Sequence, residues 1–282
     1  MIARRRRLTT SLALAAVAIA TVALWLGSAA AGAAEPARSS IVAGKPPTRP
    51  YPFVAWIELL SDPATGSVMV GGCGGTLISP QWVLTAAHCV AEGQRSRTPL
   101  PPERVRVAFG QTNVRGLAPE VWASVASVHI HPAFRVLPPA FAQSDVALLQ
   151  LAAPRAELPA VLPRPSNSRL WARGRWGRDI GYGLTDWRNN DSYGALFEVD
   201  MAVRRSWRCG NSTQAPAATV LCASSGRAQG TCRGDSGSPL IAHGRFVIGV
   251  NSFTASDCDG SYTAFALVGG RRLNRWIRAT AR

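Results

Sequence analysis

The sequence predicts an all-β fold, either a barrel or a sandwich. Two observations carry that reading. Apolar runs of five to seven residues recur from Val54 onward. Between them the chain is punctuated by turn residues, 26 glycines and 20 prolines among 282 residues. Short β-rich segments separated by Gly and Pro read as strands of a closed or two-layer sheet. One stretch, at the C-terminus, has helical period instead.

The elements follow in order. Arg4 to Arg7 open the chain, Leu12 to Leu26 are apolar except for Thr21, and Ala31-Gly32-Ala33 ends in small residues. This is the pattern of an export leader over residues 1–34, too short for a comfortable bilayer span. The protein is therefore expected outside the cell, with no membrane partner once the leader is removed. Residues 35–40 read as a short propeptide, and 41–282 as the working domain. Strands are expected at Val54–Leu59, Gly75–Ser79, Val105–Phe109, Ala126–Ile130, Val146–Leu151, Phe197–Val203 and Val247–Phe253. The proline-rich stretch Pro154–Pro165 reads as a connection between two halves. Arg95–Pro102 reads as an exposed polar loop. Leu273, Trp276 and Ile277 share one helical face, with arginines on the others. His129 and His131 read as surface histidines at a strand end, and His243 as part of a hairpin turn.

The formal charge is +15. Removing the five arginines and one glutamate of the first forty residues from 31 basic and 16 acidic leaves 26 and 15, a net of +11. Such a surface is expected to adhere to anionic surfaces. Six cysteines in an exported chain imply three disulfides, with fifteen possible pairings. No Cys-x-x-Cys or His-x-x-x-His spacing suggests a metal site. Between Val105 and Trp122 only Glu120 is acidic, too few carboxylates for calcium. No cofactor, metal or nucleic-acid partner is expected, and the chain is read as a monomer.

Chemistry concentrates in Cys232-Arg233-Gly234-Asp235-Ser236-Gly237-Ser238-Pro239. A serine on a glycine-flanked turn presents its hydroxyl beside backbone N–H groups, which suits a nucleophile with an oxyanion hole. A serine needs a histidine to take its proton, and the histidine needs a carboxylate to orient it. Thr85-Ala86-Ala87-His88-Cys89 and Asp145-Val146-Ala147-Leu148 supply both, in the order His, Asp, Ser. With Ile41-Val42-Ala43-Gly44, Cys73-Gly74-Gly75-Thr76-Leu77-Ile78-Ser79 and Gly181-Tyr182-Gly183, these segments resemble the chymotrypsin family of serine proteases. The resemblance runs from Ile41 to about Ile277. An α/β-hydrolase would place its histidine after the serine, which excludes that fold.

The resemblance implies two six-stranded antiparallel barrels, a cleft between them that holds the active site, and a C-terminal helix packed on the second barrel. It implies a serine endopeptidase acting on proteins or peptides, with His88, Asp145 and Ser236 catalytic and the N–H groups of Gly234 and Ser236 as oxyanion donors. It pairs Cys73 with Cys89, Cys209 with Cys222, and Cys232 with Cys258. It implies activation by cleavage before Ile41, whose freed amine would pair with Asp235. Ser40 precedes Ile41, so cutting at Arg38 would leave two extra residues. The primary pocket would comprise Gly230 and Thr231 at the floor, Ser252, Phe253 and Thr254 along a wall, and Gly260 at the back. With no acid at Gly230, medium apolar residues are expected before the scissile bond in place of Arg or Lys. Ser238 stands where glycine is usual, and Phe253 and Tyr182 where tryptophan is usual. The competing class is an inactive cationic homologue that binds anionic glycans or lipids; the presence of His88, Asp145, Ser236 and Gly234 argues against it.

Overall fold

The computed structural model describes residues 41–282 apart from 62–67, 94, 138–140, 206–208, 210–215 and 227. The leader and propeptide lie outside the described residues. Among the described residues, fourteen strands and one α-helix make up the domain, with short 3-10 turns between them.

The first half forms a closed barrel from β1 (Val54–Leu60), β2 (Met69–Ser79), β3 (Trp82–Thr85), β4 (Val105–Phe109), β5 (Ala123–Ile130) and β8 (Ala147–Leu151). Between the last two, β6 (Arg135–Leu137) and β7 (Phe141–Gln143) pair as a separate hairpin. The second half closes in the same way from β9 (Trp176–Gly181), β10 (Phe197–Arg204), β11 (Val220–Ser224), β12 (Pro239–Ala242), β13 (Phe246–Thr254) and β14 (Thr263–Leu267). Every strand pair is antiparallel. Closure leaves no barrel edge with unpaired backbone groups.

Alternation explains the strands. In β4, Val105 and Val107 point inward, while Arg106 faces out opposite Glu58 of β1. The Arg106 guanidinium bonds Glu58 at 3.0 Å and lies over the Trp122 ring. In β10 the outward Asp200 stands opposite Arg178 of β9 and bonds it at 2.7 Å. Such cross-strand pairs fix register in sheets whose inner faces are apolar.

The two barrels meet around Tyr182. Its ring packs edge-on against Trp56 of β1, and its hydroxyl donates to Gln111 O at 2.8 Å. A buried phenol needs such an acceptor. Between β8 and β9, a 3-10 turn spans Pro165–Trp171.

Helix α1 (Arg271–Thr280) buries Leu273 and Ile277. Asn274 donates to Val268 O at 3.0 Å, just past β14 of the second barrel, and the helix also reaches beyond that barrel. Asn274 and Arg278 bond the carbonyls of Pro163 and Leu162, and Trp276 meets His131 just past β5 of the first barrel. The helix straps the connection between the barrels. His131 is correspondingly 8% exposed, not a surface group, and burial pushes its imidazole pKa down.

Candidate functional site

His88 sits on a 3-10 turn, Ala87–Cys89, directly after β3. Cys89 is disulfide-bonded to Cys73 of β2, which ties the turn to the barrel wall. Asp145 follows Ser144, a residue at φ 54°, and leads into β8. Its side chain is 1% exposed. The Asp145 carboxylate accepts from His88 Nδ1 at 2.7 Å, from the His88 backbone N–H at 2.9 Å and from Ser252 Oγ at 2.5 Å. A carboxylate only accepts, so the imidazole proton is held on Nδ1 and Nε2 is left as a base.

The electrostatics are mutual. Burial works to lower the His88 pKa, but the charge and hydrogen bond of Asp145 outweigh it, and the imidazole stands above its ordinary value. Burial works to raise Asp145; the His88 charge, its hydrogen bonds and that of Ser252 hold the carboxyl below the ordinary range.

Ser236 lies on the turn between Cys232 and Pro239, anchored by the Cys232–Cys258 disulfide. Both barrels clamp this turn. The Gly74 N–H donates to Ser236 O at 2.7 Å, and the Gly237 N–H donates to Asn251 O at 2.8 Å. Gly237 has φ 84°, and a Cβ there would stand 2.2 Å from Gly74 O, so only glycine fits. Gly234 has φ 93° and leans on the Gly183 backbone. Neither the Gly234 nor the Ser236 N–H is used in a hydrogen bond among the described residues. The Ser236 hydroxyl makes no hydrogen bond to His88 among them either; such contacts are often loose before substrate binds.

Behind the turn, Asp235 is fully buried. Its oxygens accept from the Gly183 N–H at 2.9 Å and the Cys232 N–H at 2.8 Å. Burial lifts its pKa to about 7 against those two bonds. Asp179 of β9 is buried nearby; desolvation and the Asp235 charge push it well above the carboxylate range, and Asn251 Nδ2 donates to it at 3.2 Å. Among the described residues Asp179 Oδ1 and Ser238 Oγ have no hydrogen-bond partner. Ile41 is 0% exposed among Phe197, Val199 and Leu240. In the uncleaved chain its nitrogen is a peptide nitrogen, so no ammonium faces Asp235.

The Trypsin family model matches residues 57–277, well over half the chain. The chain belongs to the trypsin family. Human granzyme M is 30% identical over 73% of this chain and 78% of its own. Chymotrypsin-like elastase family member 1 of Rattus norvegicus is 33% identical over 65% of this chain and 68% of its own. Glucanase inhibitor protein 3 of Phytophthora sojae (strain P6497) is 30% identical over 60% and 61%. This trypsin-family chain is a chymotrypsin-like serine endopeptidase.

Around the expected pocket of the trypsin-family chain, the Gly230 N–H donates to Val42 O at 3.0 Å, and a Cβ on Gly230 would stand 2.6 Å from Gly260 Cα. The two glycines are in contact, so either side chain would collide with the other strand. Thr231 is fully buried and bonds Thr263 Oγ1 at 2.9 Å. Thr254 Oγ1 donates to Tyr262 O at 3.0 Å. Phe253 is partly buried beside Tyr262. The Ser252 hydroxyl is turned to Asp145. Cys209 and Cys222 are bonded on the second barrel. The sulfurs of Cys73 and Cys89 lie close to His88, but both are committed to their disulfide.

Asn251, Gly74 and Asp179 were not readable as site residues, nor was the contact of Ser252 with Asp145. Each acts through a contact more than fifty positions away, for which a single sequence has no local signal.

Proposed function

We propose that Ser236 attacks the scissile carbonyl while His88 Nε2 takes its proton. The Asp145–Nδ1 bond steadies the imidazolium that forms, and the same proton passes to the leaving amine. The idle N–H groups of Gly234 and Ser236 receive the negative oxygen of the tetrahedral intermediate. Water then hydrolyses the acyl-enzyme by the reverse route. The observation that carries this reading is Asp145, a buried carboxylate that accepts from His88 Nδ1, from the His88 backbone N–H and from the Ser252 hydroxyl. The test is hydrolysis of casein and short peptide anilides by chains beginning at Ile41. Ser236→Ala should abolish it, and undiminished turnover in that variant refutes the assignment.

Substrate choice follows from the floor. Gly230 offers no carboxylate to a buried cation, and Thr231 has its hydroxyl engaged with Thr263. Leu, Met, Val or Ala before the scissile bond suits such a pocket. A panel of peptide anilides varying only that residue decides it; preference for Arg, lost on Asp259→Asn, would reverse the reading.

The leader and three disulfides support action outside the cell, as a monomer. The net charge supports retention on anionic matrices. The relative named glucanase inhibitor protein keeps the non-enzymatic class in view. For this chain that class requires Ser236→Ala to change nothing measurable.

A further inference from the structure

On the second barrel, away from His88, three arginines converge on one cleft. Arg173, Arg204 and Arg205 line a cavity of about 690 Å³ together with Ser224 and Ser261. Among the described residues none of the three makes an ion pair or a side-chain hydrogen bond. Arginines elsewhere with a carboxylate in reach use it, as Arg106 does with Glu58 and Arg155 with Glu157. Asp259 borders the cleft, where it accepts the Ser261 N–H at 2.8 Å. Three like charges around one cavity repel one another, and an anion seated between them relieves that.

Beside the arginines stands an exposed aromatic face. Trp176 is 63% exposed. Trp176 of β9, Ala202 of β10 and Ser224 of β11 lie in one row across the sheet. Two strand spacings, about 10 Å, separate the tryptophan from the serine of the arginine cleft. On its other side Trp176 borders a second cleft, of about 390 Å³, with Thr48, Arg178, Asp200 and His243 along it. Polar side chains line it, with Arg178 bonded to Asp200 and Thr48, the kind of lining that hydroxyl-rich ligands meet.

We propose that this face binds an acidic polysaccharide, with a sulfate or carboxylate group held by Arg173, Arg204 and Arg205 and a sugar ring stacked on Trp176. The proposal gives the retention on anionic matrices a place, and rests on that retention but not on the catalytic assignment. A lipid surface suits the face less well. Among the described residues the other large exposed apolar side chains, Val68, Met69, Val70 and Leu158, border neither cleft, which leaves a bilayer only Trp176 to hold beside the arginines. Duplex DNA asks for cations strung along a stripe, whereas these close around a cavity.

The test uses the active enzyme and three probes: a sulfated heparin tetrasaccharide, a tetragalacturonate, and the neutral cellotetraose. Arg173→Gln, Arg204→Gln and Arg205→Gln together should weaken the acidic probes about tenfold, which is about 1.4 kcal/mol. The loss should shrink as salt screens the contacts. The same charge removed from helix α1, by Arg271→Gln, Arg272→Gln and Arg275→Gln, exposed arginines that share no cavity, should change affinity by less than about twofold. Trp176→Ala should weaken binding without changing its salt dependence, since stacking carries no charge. Whichever acidic probe binds tighter identifies sulfate or carboxylate as the group held. Peptidase activity on short anilides should stay unchanged in every variant, showing that each is folded. Equal losses from the two arginine triplets would mean diffuse charge and no site. Tighter binding of phosphatidylserine vesicles or duplex DNA, lost with the same variants, would overturn the polysaccharide reading. No binding of any anion by the parent enzyme would overturn the retention itself.

Discussion

Ser252→Ala removes one of three donors from a buried carboxylate. Asp145 keeps the Nδ1 proton at 2.7 Å and the His88 backbone N–H at 2.9 Å, but loses the Ser252 hydroxyl. At 1% exposure it has no ready replacement from solvent. A hydrogen bond to a charged group contributes about 1.5–3 kcal/mol. Taking about 2 kcal/mol, Tm should fall by about 4–8 °C for a domain of this size. If the whole loss were felt in the transition state, kcat/KM would drop about thirtyfold, which is the ceiling. The pH dependence separates this cause from packing. The Asp145 pKa is depressed in the folded state, partly by Ser252. A depressed carboxyl contributes stability above its unfolded value, and that contribution is lost as pH falls through the folded value. The gap between Ser252→Ala and the parent should therefore be full at neutral pH and close on acidification below the carboxylate range. Urea melts across that range measure it. A gap of zero at neutral pH, or one that persists in acid, would show that the hydroxyl does not act through the charge of Asp145.

Asp145→Asn should lower kcat about 10⁴-fold, the size of this change in the family's Ser-His-Asp triad. His88 stands above its ordinary pKa, so the charged imidazole is favoured below that ordinary value and is lost as pH rises through the raised one; the acid limb of kcat/KM should move to lower pH in the variant, where burial acts alone. Tyr182→Phe leaves Gln111 O without its donor and should cost about 1 kcal/mol in urea melts, with little change in turnover. Chains beginning at Ile41 should be active and chains keeping Ser39-Ser40 nearly inactive, which N-terminal sequencing of the active species checks. The uncleaved chain, with Asp235 raised to about 7, should lose stability as pH climbs from the ordinary carboxylate value through about 7; a freed Ile41 amine should abolish that loss, and an identical pH profile after cleavage would speak against the pairing.

Legibility in the sequence divides along physical lines. β4 lies at Val105–Phe109, where the alternation of valine and arginine places it. β2 begins at Met69, six residues before its expected start, because two glycine pairs, Gly71-Gly72 and Gly74-Gly75, disguise a strand whose neighbours need the space. β11, β12 and β14 are four or five residues long and carry no alternation of their own. β9 contains Arg178 and Asp179, charges that only its barrel neighbours accommodate. His88, Asp145 and Ser236 were visible because each sits in a dense local motif. The bond from Ser252 to Asp145 was not legible, because a hydroxyl on an apolar strand has no local mark of the carboxylate it meets. His131 looked like a surface group because Trp276, which covers it, lies 145 positions later in the chain.

The most direct measurement is the site of covalent capture. The mature enzyme is treated with a fluorophosphonate at neutral pH, digested, and mapped by mass spectrometry. One adduct per chain, on Ser236, is the predicted result. Labelling should be lost in Ser236→Ala and strongly slowed in His88→Ala, while both variants keep the parent's melting cooperativity. An adduct on any other residue, or labelling of Ser236→Ala at the parent's rate, would contradict the assignment of Ser236 as the nucleophile.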